Sequence, residues 1–387
     1  MLRKNNSFYI KGSGFKSIVF ALGLRKKFPK AKILIEKNSF FGGIYSSIEH
    51  KNFYLDIGCH LFDLTDKKFN ELFEISKSKI IPIKLNYKTI NNFGSTNGFA
   101  VYDFRKHKNI QILQRSFLNN LKTKKKNIKN LYQKYENKFG KKIPKIIDKF
   151  CSKITGKNLK DINKNSDEFF MFERILLFNT KNSLELKQKG LQNYLVTPSK
   201  YNHDYSQGKI IFTFKRGTNG FVKHVLGLFR KKKILFSNKI QKKKFQIIDP
   251  NKNHKIFEKK ALNIPLHLVY LQCKSFPYTY FHDFSESPVF RVSSPGFYSN
   301  QKLKRLSYIC IEIPDPMFQY NKDFLIKYTI QYIKKYTNST YLHYVFTKKS
   351  YPSIYKKFNS NHKNYIDPFI YSKKKLVSNI LDYINEI

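Results

Sequence analysis

The first sixty residues alternate between short apolar runs and breaks that carry glycine. Ser7-Phe8-Tyr9-Ile10 has the makeup of a short buried strand, and Gly12-Ser13-Gly14 follows it. Apolar side chains then recur at helical spacing, at Ile18, Val19, Ala21, Leu22 and Leu24. Ile33-Leu34-Ile35 forms a second buried run that ends in Glu36. Strand, tight turn, helix and strand within about thirty residues is the pattern of a βαβ unit.

Farther along, the spacing predicts helices over residues 112–139, 143–150, 167–177, 222–229 and 323–336, with residues 151–156 as a link. Alternation and β-branched content predict strands over residues 209–214, 234–240, 266–272, 289–295 and 308–313. In the last helix Leu325, Tyr328, Tyr332, Ile333 and Tyr336 fall on one stripe, which reads as core packing. The run Lys122-Thr123-Lys124-Lys125-Lys126 reads as a solvated face.

The opening unit has the chemistry of a dinucleotide site. Gly12 permits a sharp turn. Gly14 has no Cβ, so a pyrophosphate can lie against the backbone there. The helix that starts at this point turns unpaired N–H groups and its positive dipole end toward the phosphates. Glu36, placed to accept hydrogen bonds from a ribose, ends the second strand. The third small position holds Ser17 where Gly or Ala is usual, and this predicts some loss of fit between helix and strand. A βαβ unit with no ligand carries the same frame.

The next segment narrows the choice. It contains Phe41-Gly42-Gly43-Ile44-Tyr45-Ser46-Ser47 and then Asp56-Ile57-Gly58-Cys59-His60. Two adjacent glycines let the backbone pass close to a flat ligand, although a simple hairpin turn uses them too. With Glu36, this stretch resembles the FAD-dependent amine oxidase superfamily, which includes protoporphyrinogen oxidases, phytoene desaturases and UDP-galactopyranose mutases. The resemblance implies an α/β fold: a Rossmann-like FAD-binding domain with an inserted substrate domain of helices and mixed sheet. It places the FAD-binding part at residues 1–110, 208–265 and 346–387, and the substrate part at 111–207 and 266–345. It implies FAD as the cofactor, held by Gly12, Gly14, Ser17, Glu36, Lys37, Gly42, Gly43, Asp56, Gly58 and His60, with the backbone of Ile240 against the adenine.

The same resemblance sets a Lys153-Ile154-Thr155-Gly156 segment and Arg174 over the substrate site, with structural capping an equal reading for Arg174. It makes the later strands the floor of the substrate cavity, from which Arg291 and Glu312 project. Arg291 is either a clamp for an anionic substrate group or half of a surface Arg–Glu pair. His60 is either a residue that tunes flavin or substrate, or a structural histidine of its turn. Two departures stand out. Between Ile240 and Leu266 only residues 261–265 remain of a longer crossover, and after Tyr351-Pro352 the chain has no glycine. The superfamily closes its flavin site there with a glycine turn into a helix; here the resemblance leaves that second helix-dipole contact missing and the C-terminal return truncated, with Leu376 to Leu381 marking where the segment would have begun.

Composition changes this picture little. The chain of 387 residues is long enough for two domains, and 41% hydrophobic residues suffice for a core. The net charge of +48 suggests nucleic acid, but the lysines are spread along the whole chain and no recognition motif accompanies them. The expectation is non-specific, salt-dependent attraction to nucleic acid and acidic membranes, with peripheral attachment open. Cys59, Cys151, Cys273 and Cys310 are far apart, which reads as reduced thiols in a cytoplasmic protein, with no metal-ligand spacing. No run approaches the ~20 apolar residues of a membrane span.

Three functions fit. The first is an FAD-dependent enzyme acting on a small organic substrate, by redox chemistry or by a redox-neutral sugar rearrangement of the UDP-galactopyranose mutase kind in surface polysaccharide synthesis. The second is a non-catalytic nucleotide-binding relic of the fold. The third is a basic surface-binding protein. The substrate and oligomeric state are not legible.

Overall fold

The computed structural model describes residues 7–37, 41–98, 102–121, 128–162, 164, 175–188, 211–238, 245–250, 261–352 and 373–386. Four parallel strands form the first sheet, in the order Ile234–Ser237, Lys32–Glu36, Ser7–Ile10, Gln246–Ile248. The last of these lies in the crossover region where no strand was expected. Helix Phe15–Lys27 is buried at Phe15 and at every position from Ser17 to Leu24. Its apolar residues surround the axis because a second helix covers the side turned away from the sheet. That cover is the C-terminal helix Lys373–Glu386, whose Leu376, Val377, Ile380 and Ile384 join the same core. Gly23 makes the close approach possible: a Cβ there would lie 2.6 Å from Ile384 Cδ1. Lys27 Nζ donates to the carbonyls of Ile384 (2.8 Å) and Asn385 (2.9 Å), where helix C-terminal acceptors need partners.

The second unit is a seven-stranded mixed sheet, in the order Ser339–Pro352, Ala261–Cys273, Ser307–Pro314, Arg291–Ser293, Tyr280–Asp283, Tyr87–Asn91, Gly94–Asn97. Neighbours are antiparallel except Tyr280–Asp283 beside Tyr87–Asn91. Helix Lys322–Ile333 lays Leu325 and Ile333 into the core of this sheet, with Tyr328, Tyr332 and Tyr336 packed against it, as the stripe requires. Helices Ile110–Asn120, Leu131–Phe139 and Lys142–Thr155 form a separate apolar cluster with Phe284 and Phe290.

Several expectations change. The helix expected over 112–139 is two helices: residues 128–130 are not helical, and Asn130 caps the second by accepting the Gln133 N–H. The expected link at 151–156 is helix as far as Thr155, and Gly156 ends it in the left-handed region (φ 66°). Ile175 and Leu176, expected to be helical, pair as a short strand with Tyr102–Asp103; the rest of that expected helix, with Arg174, lies outside the described residues. The strand expected over 289–295 covers Arg291–Ser293 and turns at Pro295 into a short helix, Pro295–Tyr298. The strand expected over 234–240 is described to Ser237, and Ile240 and the lysine run 122–126 lie outside the described residues.

Candidate functional site

The glycines of the opening motif meet in space. Gly12 has φ 72°, and Gly14 caps helix Phe15–Lys27 in an extended conformation (φ −75°, ψ 177°). No side chain caps this helix and its first turn holds no acid, so the positive end of its dipole meets no protein anion in that turn. Gly42 N–H donates to the Ser13 carbonyl at 2.8 Å, and Gly42 and Gly14 form an isolated parallel bridge. Gly43 lies so close that its Cβ would stand 3.3 Å from Gly14 Cα. On Gly14 itself a Cβ would meet nothing within 4 Å. The Gly42–Gly43 backbone therefore lies directly against Gly14, and the space into which a Gly14 side chain would point is open. The Ser13 hydroxyl is buried beside it with no hydrogen-bond partner.

Glu36 reaches back across the end of the sheet, where its Oε2 accepts the Gly12 N–H at 2.6 Å. Ser17 does not loosen the motif. Its hydroxyl donates to the Lys11 carbonyl at 2.9 Å, so the extra atom is satisfied and the helix stays against the strand. Lys37 is exposed and joins the site through its backbone, which donates to the Ser237 carbonyl at 3.2 Å.

The second motif follows the Gly42–Gly43 loop in the chain. Strands Ser47–His50 and Phe53–Asp56 pair as a hairpin and deliver the 56–60 turn. Asp56 is fully buried, and its Oδ1 accepts the Thr218 N–H (3.0 Å) and hydroxyl (2.8 Å) at the start of helix Thr218–Lys231. The residue that the resemblance sets beside a flavin therefore acts through a helix terminus. Its Oδ2 has no partner and packs on Gly217, where a Cβ would overlap the carboxylate. Burial pushes this carboxyl up to about 7, against the pull of the two Thr218 hydrogen bonds. His60 Nε2 lies 2.7 Å from the Ile57 carbonyl, which only accepts, so that nitrogen carries the proton. The His60 ring rests on Tyr45, centroids 4.8 Å apart.

Strand register decides what faces this turn. Tyr87 pairs with Tyr280, Tyr280 with Ser293, His282 with Arg291, and Arg291 with Glu312, so these side chains share one sheet face. Gly58 (φ 89°) sits over them: its Cβ would lie 3.3 Å from Glu312 Oε1 and 3.6 Å from Arg291 Nη2. Tyr270 and Tyr308 hold the hairpin to the same face by donating to the carbonyls of Asp56 and Tyr54, each at 2.8 Å. Tyr298 hydroxyl meets Cys59 Sγ at 3.7 Å. Sequence reading missed Tyr87, Tyr280, His282, Cys59 and Tyr298. Strands Tyr87–Asn91 and Tyr280–Asp283 were not expected, and neither was the register that joins them across some two hundred positions.

Arg291 and Glu312 form a bidentate pair, Nε–Oε1 2.6 Å and Nη2–Oε2 2.8 Å. The side chains are 20% and 3% exposed, so this is a covered pair under Gly58 and not the surface pair considered above. Its charges cancel locally, which removes the reason to read Arg291 as an anion clamp. Arg291→Met should strand a buried carboxylate and cost about 3–5 kcal/mol. The double variant Arg291→Met/Glu312→Leu should recover much of that loss in urea unfolding. Equal losses in the two proteins would show that the pair is not what the site depends on.

The Lys153 segment is a tether. Lys153 Nζ donates to the carbonyls of Asp283 (3.1 Å), Ser285 (2.9 Å) and Val289 (2.8 Å). Burial pushes this amine down to about 8, and the Asp283 charge opposes the shift.

No protein-family profile and no curated protein matches the sequence. Solved structures do match the fold. A reduced UDP-galactopyranose mutase superposes with a TM-score of 0.64 at 14% identity, covering 91% of this chain and 84% of that one. An oxidoreductase from Methanosarcina mazei gives 0.55 at 10% identity, covering 90% and 88%. An engineered putrescine oxidase gives 0.52 at 8% identity, covering 90% and 88%. At such identities the likeness is one of fold alone: the chain shares its fold with these mutase and oxidase structures. No helix among the described residues is long and apolar enough to cross a membrane.

Proposed function

We propose that this chain binds FAD in the open space at Gly14, beside the Gly42–Gly43 loop, and acts as an oxidoreductase on a small organic substrate. One observation carries the reading. A Cβ on Gly14 would enter open space at an uncapped helix N-terminus, with the Gly42–Gly43 loop packed alongside. The residues present fit the cofactor. The Gly14 backbone and the first turn of the helix would hold the pyrophosphate, and Glu36 would accept from a ribose hydroxyl. The 56–60 turn and the tyrosine-bearing sheet face would close the other end.

Bound FAD supplies reversible two-electron chemistry, and the protein supplies orientation and electrostatics. Gly58 lets the turn lie flat on the sheet, and the Arg291–Glu312 pair fixes it without adding net charge. The Asp56–Thr218 cap ties the turn to helix Thr218–Lys231. Tyr45 backs the His60 ring, and the Nε2–H bond to Ile57 sets its tautomer. The fold match to a UDP-galactopyranose mutase supports a second reading, a redox-neutral rearrangement of a nucleotide sugar at the same site.

Chemically reduced protein separates the readings. Reoxidation by oxygen or a quinone that an added organic donor reverses supports the oxidoreductase. Conversion of a nucleotide sugar with no net change in flavin absorbance supports the mutase. Neither activity, with flavin still bound, would sink the catalytic proposal and leave a binding protein.

A further inference from the structure

The loop that follows strand Ser307–Pro314 is fixed at both ends. Asp315 accepts the N–H groups of Gln319 (2.8 Å) and Tyr320 (3.0 Å) and meets His267 Nε2 at 3.2 Å. The other nitrogen of His267 lies 2.6 Å from the Tyr344 hydroxyl. Phe318 N–H returns to the Asp315 carbonyl at 3.2 Å. Pro316 packs on Gly156, where a Cβ would lie 3.1 Å from Pro316 Cβ and 3.6 Å from Met317 Sδ.

This braced turn presents Met317 and Phe318 to solvent, 65% and 67% exposed. Phe318 adopts φ 54°, a region that bulky L-residues rarely enter. Phe324, stacked with Tyr320 at 5.6 Å, is 45% exposed, and Phe346, whose ring lies 5.2 Å from His267, is 46% exposed. Lys157, Lys322, Lys327 and Lys348 are exposed on the segments that carry or flank these residues, with Asp323 as the exposed acid of that helix's first turn. A folded monomer gains nothing from holding large apolar side chains in water on a strained turn.

We propose that this loop inserts into the interface of an anionic lipid surface. Apolar side chains that enter the headgroup region, joined to cations that meet acidic lipids, give the two signals that stable peripheral binding needs. Charge complementarity favours lipid over an average protein partner, because the whole chain carries +48 and any approach to an acidic bilayer is attractive. The proposal does not depend on the flavin reading.

The chain has no tryptophan, so Phe318→Trp installs a single indole reporter. Leu235→Trp, at an exposed position on the edge strand of the four-stranded sheet, is the control. With phosphatidylcholine vesicles containing phosphatidylserine, the Phe318→Trp emission should shift to the blue and be quenched by brominated acyl chains. The control should show neither effect. Met317→Ser/Phe318→Ser should bind the same vesicles at least about tenfold more weakly, given the apolar area removed. Vesicle binding without an emission change at Phe318→Trp would overturn the proposal in favour of adhesion through lysines elsewhere. Absence of vesicle binding would overturn it outright. A blue shift that follows protein concentration without lipid would overturn it in favour of a second copy covering the loop.

Discussion

Gly14→Val is expected to fold normally and to lose FAD. The two halves of that statement rest on different observations. Gly14 has φ −75° and ψ 177°, which valine adopts without strain, and a Cβ there meets no atom within 4 Å. The side chain would instead occupy the open space at the helix N-terminus, where the pyrophosphate is placed. The pyrophosphate would lose at least two charge-assisted N–H contacts, each worth about 1.5–3 kcal/mol. Affinity should therefore fall at least a hundredfold, on the scale of about 1.4 kcal/mol per tenfold. Urea unfolding of the apoprotein and an FAD titration check the two halves separately. A variant that binds FAD like the wild type would put the phosphates elsewhere.

Asp56→Asn should remove a pH dependence of stability. The carboxyl titrates at about 7 in the folded chain and at about 3.9 when unfolded. Between those values the native state binds the extra proton, so the contribution is fully present below about pH 3.9. It is lost as pH rises through 7. Three units at about 1.36 kcal/mol each give an upper figure of about 4 kcal/mol. Asparagine keeps an oxygen for the Thr218 N–H and puts an uncharged amide where Oδ2 now has no partner. Measured against wild type, the variant should gain several kcal/mol between pH 4 and pH 8, because other titrations cancel in the difference. A wild-type-to-variant difference that is flat with pH would show that Asp56 is not a strained buried carboxyl.

What could be read in advance follows from how far each feature reaches along the chain. The glycine cradle was legible because Gly12 and Glu36 sit within one βαβ unit, and their contact closes over 24 positions. Ser17 looked like a defect, and it is accommodated because the Lys11 carbonyl lies within reach of its hydroxyl. The floor of the site was not legible. Tyr87, Tyr280, His282 and Arg291 share a face only through a register that links residue 87 to residue 280. Asp56 could be read as part of a motif but not as a cap, since Thr218 is 162 positions away. The glycine-free tail suggested a lost segment. Its helix Lys373–Glu386 is present and docks on helix Phe15–Lys27, while residues 353–372, where a closing turn would fall, lie outside the described residues.

All of the proposed chemistry requires that the open space at Gly14 hold FAD. Adding FAD to the purified chain, removing the unbound cofactor and recording the absorbance tests it most directly. The expected result is close to one FAD per chain, with bands near ~370 and ~450 nm that belong to the cofactor, and none retained by Gly14→Val. A wild-type protein that neither carries flavin nor takes it up would contradict it.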